Sequence, residues 1–274
     1  MVLFGPAGND VQFYADGNKS SVDAPRWLAS LGLNAYEISF GRGIRMTEKT
    51  AEVIGKQASI YGIKISVHAP YYINLANRES LEKNYHYIKR SLQLLALMGG
   101  NRLVVHVGSQ MQMSRDEALQ NCHESLKIIL ERLKHDGFYD YWLCLETMGK
   151  YTQIGNLDEI CALCAIDPHH LMPTVDLGHM NCLMQGQLDL EKIFLQLQIF
   201  PQVHFHISFI EYGLKGEIKH VTLAEKQFGF DLNLVMKLMR LRPGNDVVIS
   251  ESDNIMAQDS LKLQSFYLQK KIEV

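Results

Sequence analysis

Eight short apolar runs recur along the chain: "VLFG" (2–5), "AYEIS" (35–39), "KISV" (64–67), "LVVHV" (103–107), "WLCLE" (142–146), "LMPTVD" (171–176), "VHFHIS" (203–208) and "VVISE" (247–251). They are rich in Val, Ile and Leu, as strands buried on both faces must be. Stretches of helical periodicity lie between them, at 47–61, 80–98, 114–134, 189–198 and 231–241. Thr47, Ser114 and Asp231 stand where helix N-caps belong. Gly32 and Gly62 stand where a helix end wants a left-handed residue. The strand-to-strand spacing is too long for hairpins, so the strands are expected to run parallel with helical crossovers. Eight such units in 274 residues predict one closed (β/α)8 TIM barrel, a single domain over 1–274. A doubly wound open sheet is the alternative. That fold usually carries a glycine-rich phosphate loop after its first strand, and "GPAGNDVQF" does not contain GxGxxG.

Charge and cysteine content narrow the function. A formal net charge of −3 excludes a broadly basic nucleic-acid surface. Any DNA binding has to rest on local cations or bound metal. The five cysteines are an odd number and form no disulfide framework. Cys161 and Cys164, in "CALC", have no second CxxC to complete a zinc knuckle and read as core thiols in a reducing cytosol. No run approaches the ~18 apolar residues of a membrane span, and "MVLFGPAGND" lacks a secretory signal pattern. A cytoplasmic protein without a membrane partner is expected.

The ends of the proposed strands carry the chemistry. Strands three to eight end in or near His68, His106, Glu146, Asp176, His206 and Glu251. In a barrel these residues share the C-terminal rim, where active sites are built. Taken singly, each reads as a hydrogen-bonded core histidine or a helix cap; Asp176 in "TVDLGHMNC" is an obvious cap. Three carboxylates crowded at one mouth repel one another unless cations neutralise them. Three interleaved imidazoles supply nitrogen donors of the kind zinc prefers. A cluster of at least two metal ions is therefore expected. His179 and His220 lie just outside the ring. His204 and His206 are expected to face opposite sides of their strand, with His206 turned to the mouth. His86, His123, His135, His169 and His170 are expected on helices or distal loops.

These residues lie in motifs that resemble the endonuclease IV family of abasic-site endonucleases, among the xylose isomerase-like barrels. "HAPYYINLAN", "VVHVGS", "LETMGK", "VDLGHMN", "HFHISFIEYG" and "KHVTL" follow the family's order over nearly the whole chain. The resemblance implies zinc, with manganese as the alternative metal. One ion would be held by His68, His106 and a bridging Glu146, and a second by Glu146, Asp176, His206 and Glu251. A third would be held by His179, His220 and an aspartate two residues before His220. That position is Ile218 here, so a third ion depends on another donor, and Glu217 is adjacent. The strand-seven motif also reads "HFHISF" where many members carry Asn-Asp.

The resemblance further implies hydrolysis of the phosphodiester 5′ to an abasic site in double-stranded DNA, by a monomeric repair enzyme. Glu146 and Glu251 would be the catalytic carboxylates, Glu251 orienting or deprotonating the attacking water. Tyr71 and Tyr72 match the wedge that fills the gap in the duplex, Asn74 would fix their loop, and Arg42, with Arg45 nearby, would enter the DNA stack. Two other readings stand beside this one. A divalent-metal sugar isomerase or epimerase needs only Glu146, Asp176, His206 and Glu251. A binding protein with a decayed site would be marked by the missing aspartate.

Overall fold

The computed structural model describes residues 2–269. Eight strands form one parallel sheet: β1 Leu3–Pro6, β2 Ala35–Ser39, β3 Lys64–His68, β4 Arg102–His106, β5 Trp142–Glu146, β6 Leu171–Asp176, β7 His204–His206 and β8 Val247–Ser250. Their order is β1-β8-β7-β6-β5-β4-β3-β2. The sheet closes between β1 and β2 through a single parallel bridge, Ala7 to Glu37. Asn34 reinforces that seam: its side chain accepts the Phe4 amide (2.7 Å) and its own amide donates to Phe4 O (3.1 Å). The predicted TIM barrel is the observed fold.

The expected helices form with their caps. Thr47, Ser114 and Asp231 accept amide protons at the starts of Glu48–Tyr61, Arg115–His135 and Leu232–Arg240. Gly32 and Gly62 end their helices at φ of 83° and 70°. Apolar faces of the helices and the outward faces of the strands make the main core. Inside the barrel the apolar side chains form two small separate patches, one around Ala35, Val247 and Ile249, the other around Val104, Cys144 and Met172. Buried polar side chains, among them Glu37, Ser66, His204 and His206, interrupt them.

Two departures shape the rim. Strand seven, expected over 203–208, is only His204–His206. The chain then leaves the barrel as an antiparallel hairpin, Phe209–Gly213 with Gly216–Val221. The loops after β4 and β5 also pair, through Gly108–Ser109 and Gln153–Ile154.

Closure demands a glycine at position 5. A Cβ there would lie 1.8 Å from Ala35 O, on backbone that cannot yield without opening the seam. Gly5→Ala is expected to cost on the order of 3 kcal/mol or more. Urea unfolding of both proteins checks this, and equal midpoints would show that the seam carries no such constraint.

Candidate metal centre

Inward-facing positions at the strand ends meet at the C-terminal mouth of the barrel, as alternation along a strand requires. Glu146, at the end of β5, is the hub. Its Oε2 lies 3.0 Å from His68 Nε2 and 2.9 Å from His106 Nε2. Its Oε1 lies 2.9 Å from His206 Nδ1. The two oxygens of one carboxylate thus face two sets of donors: His68, His106 and Glu146 on one side, and Glu146, Asp176, His206 and Glu251 on the other.

Asp176 answers both descriptions its sequence context allowed. Oδ1 accepts the His179 amide (2.8 Å) and caps the helix Leu177–Leu183. Oδ2 is buried beside the cluster with no hydrogen bond. Its neighbour is His179 Nδ1 at 3.4 Å, and a buried carboxylate oxygen without a hydrogen bond is costly in protein but suits a cation.

A third set joins His179 and His220 with Glu217. Glu217 Oε2 lies 3.7 Å from His179 Nε2, and Oε1 lies 3.9 Å from His220 Nε2. The hairpin explains how. Glu211 pairs with Lys219 and Tyr212 with Glu217, so Ile218 is an extra, bulged residue. A bulge shifts the alternation by one place. Glu217 and His220 therefore share a face although three residues apart, and Ile218 is turned out, 59% exposed. The Glu217 amide is anchored to Gly149 O at 2.9 Å.

Backbone contacts orient the rings. His68 Nδ1 lies 2.9 Å from Ala69 O, and His179 Nδ1 lies 2.9 Å from Thr147 O. Each carbonyl accepts the Nδ1 proton and leaves Nε2 free toward its cluster. His220 Nδ1 meets Ser208 Oγ at 3.0 Å. His206 is turned the other way, with Nδ1 toward the cluster.

The electrostatics match a site built for cations. Burial would raise the Glu146 carboxyl, but His206 and His106 hold it well below the usual carboxylate range. Glu251 is likewise pushed up by burial and drawn down to about 2, chiefly by His206. Burial outweighs the neighbouring imidazoles at Asp176, which is raised. His179 is lowered by burial but raised on balance to about 9 by Asp176, Glu146 and Glu217. The carboxylates thus recruit protons onto imidazoles where divalent ions would serve better. Mixed nitrogen and oxygen donors suit zinc and its neighbours.

The other anticipated residues are near but differ in what holds them. The Tyr71 ring stacks on His106 (centroids 5.0 Å, 13° between planes) and meets the edge of His68. It roofs the first cluster while staying half exposed. Tyr72 is exposed beside Tyr87. Asn74 is occupied within its loop, donating to Ser109 O and accepting from the Ala76 and Ser109 amides. Arg42 is exposed and, with Arg45 and Tyr71, lines a cleft of about 770 Å³ beside the mouth.

One expectation is overturned. His204 does not face away from His206: both point into the barrel, with centroids 5.3 Å apart. Residues two apart on a strand share a face, so the opposite-face expectation misapplied the strand period. Glu37, in the middle of β2, was not singled out. It lies 2.9 Å from His204 Nε2 and 3.0 Å from His206 Nε2.

The topology, with carboxylates and imidazoles clustered at its mouth, defines a (β/α)8 barrel whose rim carries groups able to hold metal ions. The family described as xylose isomerase-like TIM barrel matches residues 25–257, and the chain belongs to it. An uncharacterized protein of Methanocaldococcus jannaschii is 32% identical over 97% of both chains. A protein named probable endonuclease 4 from Mycoplasma genitalium is 27% identical over 80% of this chain and 66% of its own length. Among solved structures, a D-tagatose 3-epimerase-like protein superposes with a TM-score of 0.70 at 20% identity, over 97% of both chains. At that identity the likeness concerns the fold alone.

The bulge sets a test of the third group. After saturation with zinc and gel filtration, Glu217→Ala is expected to retain one ion fewer per chain than the unaltered protein. Adding Ile218→Asp to that variant is expected not to restore it, because residue 218 faces outward. Elemental analysis counts the ions, and an unchanged count in Glu217→Ala would remove Glu217 from the ligand set.

Proposed function

We propose that the protein is a metal-dependent endodeoxyribonuclease that hydrolyses the phosphodiester 5′ to an abasic site, as in base excision repair. One observation carries the proposal: of four donor groups among the described residues, two share Glu146 and a third is completed by Glu217, while the fourth, Glu37 with His204 and His206, lies deeper in the barrel. A sugar isomerase needs only the group of Glu146, Asp176, His206 and Glu251, and leaves His68, His106, His179, His220 and Glu217 without a task. Similarity to proteins named probable endonuclease 4 supports the same direction.

In this role His68, His106 and Glu146 hold one ion, Glu146, Asp176, His206 and Glu251 a second, and His179, Glu217 and His220 a third. Zinc or manganese ions held there would supply a nucleophilic water at neutral pH and offset charge on the phosphate. Glu146 keeps the first two groups at a fixed separation because each oxygen is committed to one of them. Glu251 is the most exposed carboxylate of its group, at 15%, and is placed to orient the attacking water and take its proton. Tyr71, Tyr72 and Arg42 offer exposed aromatic and cationic groups beside the mouth, suited to fill the gap left by a missing base. Asn74 acts on that loop from within. Local cations and bound ions attract the phosphate backbone despite the net negative charge, so binding weakens with salt.

A sugar epimerase is the second reading, favoured by the four-residue group it would use.

A duplex carrying one tetrahydrofuran abasic analogue tests the proposal, because the analogue resists elimination and only hydrolysis cuts it. Incision on its 5′ side is expected, abolished by chelator and reduced at least about 100-fold in Glu146→Ala. No incision by folded, zinc- or manganese-loaded protein would overturn the nuclease, and turnover of a ketose would establish the epimerase.

A further inference from the structure

Glu37 is fully buried within the barrel. Among the described residues no lysine or arginine lies within ion-pair distance of it. Its surroundings are Ser66 Oγ, donating to Oε2 at 2.8 Å, His204 Nε2 at 2.9 Å from Oε2, and His206 Nε2 at 3.0 Å from Oε1. Neither imidazole contact counts as a hydrogen bond: His204 Nε2, His206 Nε2 and Glu37 Oε1 have no hydrogen-bond partner, whereas His206 Nδ1 is hydrogen-bonded to Glu146 Oε1. A buried carboxylate placed this way needs compensating positive charge or donated protons. The opposite nitrogen of His206 lies 2.9 Å from Glu146 Oε1 and 3.4 Å from Glu251 Oε2. One ring thus spans from the interior carboxylate to the mouth.

We propose that Glu37 is a positioning residue for His206. A neutral imidazole carries one proton, and the nitrogen without it can bind a cation. A carboxylate 3.0 Å from Nε2 favours the proton there and, once a cation replaces the Nδ1 contact with Glu146, leaves the Nδ1 lone pair to the ligand group of Asp176 and Glu251. His68 and His179 receive this service from backbone carbonyls and bind through Nε2. His206 sits on a strand whose neighbouring backbone groups are engaged in the barrel, so a side chain from β2 takes the part. Ser66 donates to the second oxygen of Glu37 and keeps the carboxylate from turning away. The inference rests on His206 being a metal ligand and is independent of the substrate.

Chelator competition with zinc on the full chain tests it without any substrate. In Glu37→Gln, which preserves volume, one class of bound zinc is expected to weaken roughly 10-fold, and in Glu37→Ala roughly 100-fold, with the number of ions at saturation unchanged. Nitrogen-15 histidine spectra of the zinc-loaded protein are expected to show His206 protonated at Nε2, with that signal altered in Glu37→Gln. Should Glu37→Ala fail to fold, Glu37→Gln carries the comparison. Unchanged affinity in Glu37→Gln, or His206 bound through Nε2, would overturn the positioning role. Loss of one whole ion in the variant would also overturn it, making Glu37 a ligand of a separate site. If the unaltered protein binds no zinc, the ligand assignment and this inference fail together. Zinc binding as described but no DNA incision would leave this inference standing and remove only the nuclease.

Discussion

A single carboxylate organises the mouth of this barrel. Glu146 is almost fully buried, yet its two oxygens meet His68, His106 and His206 at hydrogen-bond distance. Stripping water from a carboxylate costs several kcal/mol unless strong partners replace it. Those partners arrive from three other strands, β3, β4 and β7, and only a closed parallel sheet brings four such strand ends to one point. The seam at Gly5 and Asn34 and the short β7 follow from that demand: the barrel has to close tightly enough for side chains from opposite walls to touch.

The fold was legible because parallel strands buried on both faces have to be apolar throughout, and eight such runs leave few other architectures. The six strand-end ligand candidates were legible for a related reason. One titratable residue ending an apolar run reads as a core histidine or a cap, but six in succession at one rim form a pattern. Positions that did not fit that pattern were harder to read. Glu37 lies mid-strand in "AYEIS", where a single acid reads as an ordinary outward-facing residue until the barrel closes around it. His204 was placed on the wrong face by an error of parity rather than by any ambiguity in the residues. The hairpin at 209–221 went unread because the strand expected over 203–208 already runs past His206, where the chain turns away.

Glu217 could be named from the sequence only as the neighbour of Ile218, for a different reason. A bulge leaves only a faint mark in a sequence, here the turn through Gly213 and Gly216, and it moves every later residue of its strand to the other face. The aspartate expected at 218 and the glutamate found at 217 are therefore alternative solutions to one geometric problem. In an unbulged strand, residue i−2 shares the face of His220. With one extra residue inserted, i−3 does, and the longer glutamate side chain spans the gap. An isoleucine at the bulged position is then no loss, since it points to solvent.

This substitution also sets the three groups apart in rigidity. The first two are built from strand ends locked in the barrel, and their donor contacts are as short as 2.9–3.0 Å. The third combines His179, on a helix capped by Asp176, with two residues of a hairpin outside the barrel wall, and its contacts are 3.7 and 3.9 Å. Residues on rigid elements hold a geometry more accurately than residues on excursions from them. The third group is consequently the one whose donors have the furthest to move on binding a cation, and the one most able to adjust to a substrate. Asp176 lies between it and the rest: Oδ1 caps the helix carrying His179 and Oδ2 lies 3.4 Å from His179 Nδ1, while the same carboxylate belongs to the donor group of Glu146, His206 and Glu251.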